Sequence, residues 1–183
     1  MDPLPRLGAR RVLAGNRFFE LVEEEIEDRS GAMYPYYSVA SKWDAVVVIP
    51  RFADGSLVIE RIYRHPYRAW LHEFPAGGIE PGEDACAAGA RELTEETGLI
   101  AGRIRLLHRF EALPGLLRMR LHLVLAEDLR EGGTTSLEPA EFIQVERVSL
   151  AEAWELARRE TASSFLTLGL MALGPVPTPC PSA

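Results

Sequence analysis

Between Gly77 and Leu99 the chain gathers carboxylates on a segment that reads as a helix. Pro81-Gly82-Glu83-Asp84 makes a turn followed by acidic residues, suited to the positive end of a helix dipole. From Asp84 to Thr97 there is no proline and only one glycine, Gly89, and Gly98 then supplies a stop, because glycine tolerates the left-handed backbone common just past a helix end. Inside this helix run Arg91-Glu92-Leu93-Thr94-Glu95-Glu96. Glu92 lies three residues from Glu95 and four from Glu96, so all three share one side and repel one another. A pair of glutamates alone is usually a solvated acidic face. Here Gly77, Glu83, Arg91, Glu92, Leu93, Glu95, Glu96, Gly98 and Leu99 also fit the spacing G-x₅-E-x₇-R-E-U-x-E-E-x-G-U, with U a bulky aliphatic residue. Carboxylates so grouped are best explained by a cation. Oxygen ligands without His or Cys nearby select a hard one, Mg²⁺ first and Mn²⁺ or Ca²⁺ as substitutes. Gly77 and Gly78 allow a tight turn ahead of the helix, Arg91 can pair with a neighbouring carboxylate and orient the glutamates, and Leu93, with Cys86 and Ala90, anchors the opposite face in the core.

Around this helix the chain alternates strands and turns. Strands are expected at 17–26 and 36–40, and Ala45–Tyr63 reads as a hairpin about Ala53-Asp54-Gly55. Further strands are expected at 70–74, 104–111, 120–127 and 142–147. Ser149, with Glu152 three residues on, starts a helix to about Glu160, and Ser164–Leu173 is a second apolar helix. The pattern predicts an α/β chain with layered sheet and helices, followed by a Pro-rich tail over 175–183 that is expected to be disordered. Length 183 suits one domain, and no stretch is long and apolar enough for a membrane span. The N-terminus lacks the apolar core of a secretory signal, so a cytoplasmic protein is expected. Cys86 and Cys180 do not form a disulfide framework, and Cys86 reads as a small core hydrophobe. A net charge of −7 argues against broad nucleic-acid binding but not against a small phosphorylated substrate recruited through metal.

The Gly77–Leu99 element resembles the Nudix box, complete and unbroken, and the chain from about Tyr36 to Trp154 is similar to the ADP-ribose and nucleoside-diphosphate-sugar branch of the Nudix hydrolases. Glu73-Phe74-Pro75-Ala76-Gly77-Gly78-Ile79-Glu80 looks like that branch's E-[aliphatic or aromatic]-P-A-G-x-I-E segment, and Pro114 occupies the place of its characteristic proline past the box. The resemblance implies a mixed sheet sandwiched between helices over 41–174, with 1–40 an N-terminal antiparallel strand extension serving dimerisation and base binding. It implies metal ligands at Glu92, Glu96 and the Ala76 carbonyl, with Glu95 an additional ligand or catalytic group and Arg91 orienting them. Ile62-Tyr63-Arg64 resembles the branch's Q-[aromatic]-R, which makes Arg64 a phosphate clamp, although Ile62 stands where glutamine is usual, and the resemblance makes Glu73 and Pro114 substrate-binding residues as well. The general base is expected from the loop before the last strand: Glu141 first, then Glu138, with Gly132-Gly133-Thr134-Thr135-Ser136 making that loop mobile. Trp43, Tyr36 and Phe19 are aromatic candidates for the adenine, Trp43 first. The implied activity is Mg²⁺-dependent hydrolysis of a nucleoside diphosphate linked to another moiety, ADP-ribose to AMP and ribose 5-phosphate above other sugar nucleotides, by a homodimer with no nucleic-acid or membrane partner. Leu116-Leu117-Arg118-Met119-Arg120 departs from the branch's polar loop containing Glu or Asp at the sugar end. A nucleotide-sensing module without turnover is the alternative from another class; such modules usually lose box glutamates, and none is lost here.

Overall fold

The computed structural model describes residues 4–174, so the expected tail at 175–183 lies outside the described residues. They divide into two compact units, one made of the residues up to Asp44 with Phe110–Leu121, the other of Ala45–Arg109 with the described residues from His122.

The first unit is an antiparallel meander of β1 (Leu7–Gly15), β2 (Phe19–Glu27) and β3 (Met33–Ser41). The Asp28 carboxylate shapes the β2–β3 turn by accepting from Ser30 N at 2.8 Å and Ala32 N at 3.0 Å. Two long strands, β8 (Leu99–Leu113) and β9 (Leu117–Glu131), reach into this unit with their joining ends, and β3 pairs parallel to β9 at Val39–Leu117 and Ala40–Arg118. Sequence patterning does not expose β1, because every one of its residues is exposed and no buried–exposed alternation marks it.

In the second unit, one sheet has the order β8, β9, β4 (Ala45–Pro50), β7 (Ala76–Gly78), and a three-stranded sheet has β5 (Leu57–Arg64) between β10 (Ile143–Val148) and β6 (Ala69–Glu73). The expected Ala45–Tyr63 hairpin therefore does not form. Only an isolated bridge, Arg51–Leu57, joins its arms, and Arg51 N donates to Ala126 O at 2.9 Å instead. The cause is visible in burial. Val46–Pro50 and Leu57–Glu60 are buried without interruption, and a strand covered on both faces takes neighbours on both edges rather than one turn partner.

Helix α1 (Ala85–Thr97) starts at Asp84, whose carboxylate accepts from Cys86 N and Ala87 N, and ends at Gly98 with φ 72°. Its core side is Ala88, Gly89 and Leu93, packed with Val46, Val48, Val58, Leu99, Val124 and Ala126. Cys86 touches this cluster, as expected, whereas Ala90 faces solvent. Gly89 takes the central place, because a Cβ there would meet Val124 Cγ2 at 2.7 Å and push the helix off the sheet. Helices α2 (Leu150–Ala157), with the Ser149–Glu152 capping box formed, and α3 (Ser164–Leu173) complete the unit. No helix among the described residues is long and apolar enough to cross a membrane.

Candidate active site

Helix α1 turns its carboxylates toward the β7 backbone. Glu96 is 6 % exposed, and its Oε2 accepts from Ala76 N at 3.0 Å. Glu92 lies against Gly77 so closely that a Cβ on Gly77 would overlap the carboxylate, which explains a glycine there better than turn geometry does. Arg91 ties the neighbourhood together. Its Nη1 donates to Glu92 Oε1 at 2.7 Å and Glu95 Oε2 at 3.1 Å, its Nη2 to Gly78 O at 2.9 Å and Glu83 Oε2 at 3.1 Å, and its Nε to Glu83 Oε1 at 3.2 Å. Box residues Glu83, Arg91, Glu92 and Glu95, with the Gly78 carbonyl, thus form one hydrogen-bonded assembly. The Glu83 hydrogen bonds foremost raise the Arg91 pKa, and Arg91 holds the Glu83 carboxyl below the usual range.

Strands β5 and β6 supply the facing wall. Arg64 forks onto Glu73, Nε to Oε1 at 3.0 Å and Nη2 to Oε2 at 2.8 Å. Burial works against the Arg64 charge, yet the Glu73 pair outweighs it and the guanidinium is more basic than usual. Glu73 in turn lies opposite Glu60 in the β5–β6 register. Glu60 is missing from the sequence expectations. Its signal was a charge inside a buried strand, Leu57-Val58-Ile59-Glu60, where an apolar residue is the norm.

The electrostatics are dominated by crowded negative charge. Burial, then Glu60 and Glu92, pushes the Glu96 carboxyl up. Burial, then Glu73, does the same to Glu60. Burial also raises Glu92 against the opposing pull of Arg91. Glu141 raises all three, so its charge acts on the centre of the cluster, and Glu138 acts on none of them among their leading influences. Glu141 also closes its own turn, accepting from Glu138 N at 2.7 Å. The run 132–136 is fastened to the end of α1, with Gly133 N donating to Gly98 O at 3.0 Å and Ser136 N to Glu95 O at 2.9 Å. Backbone bonds thus hold a segment whose composition suggested mobility.

Trp43 and Pro114 belong to the first unit. Trp43 meets Phe18 edge-on at 5.7 Å, and Pro114 begins the β8–β9 turn, where Tyr36 Oη donates to Gly115 O at 2.5 Å.

The donors fit a hard divalent cation. All are oxygens, Glu96 and Glu60 are buried with Glu92 half-buried, and Glu60 Oε1 has no hydrogen-bond partner. Among the described residues, no three His, Cys, Asp or Glu side chains already form a metal cage. Mg²⁺ does not require one, since it is commonly held by one or two carboxylates, with water and substrate phosphates completing its shell.

Comparison with known proteins agrees with this geometry. The NUDIX domain model matches residues 41–168. An ADP-ribose pyrophosphatase of Bacillus subtilis (strain 168) is 28 % identical over 149 residues, 81 % of this chain and 80 % of the relative. A CMP-5'-(N-acetyl-N-hydroxy-3-aminopropyl)phosphonate hydrolase of Streptomyces rubellomurinus is 30 % identical over 168 residues, 89 % of this chain and 79 % of the relative. The crystal structure of an ADP compounds hydrolase shares the fold at a TM-score of 0.84, covering 93 % of this chain and 92 % of that one at 24 % identity. With its box assembled on α1 and the family model covering the greater part of its length, the chain belongs to the Nudix family, as a hydrolase of the ADP-ribose pyrophosphatase branch.

Proposed function

We propose that the chain hydrolyses the pyrophosphate bond of a nucleoside diphosphate joined to a second moiety, with ADP-ribose the leading substrate, giving AMP and ribose 5-phosphate, and that it uses Mg²⁺, with Mn²⁺ a substitute. The observation that carries this reading is the placing of buried Glu96 and half-buried Glu92 against Ala76-Gly77 with more negative charge than the nearby arginines offset. Glu92, Glu96 and the Ala76 carbonyl would hold the ion, with Glu95 at its margin. The bound ion supplies charge neutralisation for the diphosphate and a more acidic water. Arg91 fixes the Glu92 and Glu95 carboxylates, so little reorganisation is needed when substrate arrives. Glu73 holds the Arg64 guanidinium beside the carboxylates, where it aligns the phosphates. Glu141 accepts the proton of the attacking water, ahead of Glu138, because its charge acts on the cluster itself. The same reading makes the chain a homodimer, and Leu7, Val12 and Leu13, exposed on β1, suit contact with a second copy.

A second reading keeps the chemistry and changes the leaving group. It is favoured by the departure at Leu116–Arg120 and by the Streptomyces relative, whose name specifies a CMP-linked phosphonate. The test is product analysis on ADP-ribose, sugar nucleotides, dinucleoside polyphosphates, coenzyme A and a CMP-linked compound, with Mg²⁺, Mn²⁺ or chelator. The expected result is turnover only with divalent ion, fastest on ADP-ribose, with Glu96→Gln slower by about a hundredfold or more. Absence of turnover on every compound, or full activity in Glu96→Gln, would overturn the reading.

A further inference from the structure

Strand β5 carries a charged group to which the proposed chemistry assigns no role. Glu60 closes the buried run that begins at Leu57, is 1 % exposed, and has an Oε1 atom with no hydrogen-bond partner. An ionised carboxylate removed from water is strongly disfavoured unless paired, and a protonated one still requires partners for its oxygens. The neighbours deepen the cost. Glu73 lies directly across the β5–β6 pair, and Glu92, Glu96 and Glu141 all act on Glu60 or are acted on by it. Arg64, the cation whose charge acts on Glu60, gives its Nε and Nη2 to Glu73. Packing alone does not account for this residue, since valine or isoleucine would extend the Leu57–Ile59 run without burying a charge.

The unpartnered Oε1 belongs to a carboxyl whose charge and those of Glu92 and Glu96 on α1 act on one another, although the three side chains do not already form a cage. We propose that Glu60 is a further ligand, directly or through one water, of the divalent cation held by Glu92 and Glu96. The proposal rests on the metal reading given above. It adds a ligand from the β5 sheet to those from α1 and β7, so that the ion joins the two walls of the site. Its shared carboxylates also give a reason for gathering so much buried negative charge: a divalent ion satisfies in one place what single hydrogen bonds leave unmet.

The test is Mn²⁺ binding to the chelator-treated full chain, read from the resonance signal of free Mn²⁺ and requiring no turnover. Wild type, Glu60→Gln, Glu60→Asp and Glu96→Gln are compared. Wild type should bind, Glu96→Gln should lose binding, and Glu60→Gln should weaken it by about tenfold or more. Glu60→Asp, which keeps the charge but shortens its reach, should fall between wild type and Glu60→Gln. The metal-free melting temperature of Glu60→Gln should not fall below that of wild type, because the amide cannot take a charge in the buried site and keeps nearly the same volume. Wild-type affinity in Glu60→Gln, or in Glu60→Asp should the amide variant fail to fold, alongside loss in Glu96→Gln, overturns the role of Glu60 and leaves the metal reading intact. Failure of wild type to bind Mn²⁺ overturns both.

Discussion

At Gly77 the Cα occupies the space beside the Glu92 carboxylate, so the residue acts through the side chain it lets in. Gly77→Ala forces either the Glu92 carboxylate or the β7 backbone to move. Misplacing a catalytic group by about an ångström costs on the order of a hundredfold in rate. Gly77→Ala should therefore lose activity by that factor and weaken Mn²⁺ binding while its urea midpoint changes little; wild-type activity would show that Glu92 relocates freely. That Glu92 and Glu96 share a side of α1 was legible in the sequence because helix spacing turns residue numbers into a face, whereas Gly77 lies on β7 and was legible only through its place in the box spacing. Glu60 was not legible. Its neighbours arise from the pairing of β5 with β6 and from α1 packing nearby, and no local periodicity encodes those contacts.

Helix α1 was legible as an element, from the Asp84 cap to the Gly98 stop, because both ends are set by local chemistry. The last turn does more than terminate the helix. Gly98 has φ 72°, its carbonyl accepts from Gly133, and Glu95 accepts from Ser136, so this end anchors the segment leading to Glu141. A Cβ on Gly98 would meet nothing closer than 3.5 Å, which leaves backbone strain as its main penalty. Gly98→Ala should destabilise by about 1 kcal/mol, and Gly98→Asn by less, since asparagine tolerates the left-handed region. Urea unfolding reads the difference, and equal stability of Ala and Gly would show that the strain relaxes. Strands were harder to read than helices for a related physical reason. Val46–Pro50 and Leu57–Glu60 look like the arms of one hairpin, but sheet membership depends on edges and faces supplied by β9, β7, β10 and β6 from elsewhere in the chain.

At the scale of the whole molecule, net charge of −7 is less informative than where the negative charge is placed. Arginine-paired carboxylates such as Glu83 and Glu127 have pKa values below the usual range, so their stabilisation is present above the unfolded value and is lost as pH falls through the folded one. Glu60, Glu92 and Glu96 behave in the opposite sense. Their folded pKa values are raised, so as pH rises the unfolded chain releases these protons first and the native state loses relative stability. For Glu60 the window runs from the ordinary 4.5 to about 8, with the loss complete above it. A divalent cation binds the ionised carboxylates and expels their protons, so its stabilisation must grow across the same window. The chelator-treated chain should melt at a lower temperature at about pH 8.5 than at about pH 6, and Mg²⁺ should raise the melting temperature more at the higher pH. Glu96→Gln should reduce both effects, because it removes a titrating carboxyl together with a ligand. A Mg²⁺ increment that is equal or smaller at high pH would mean that the ion does not bind these glutamates, and the charge gathered on α1 and β5 would then require another explanation.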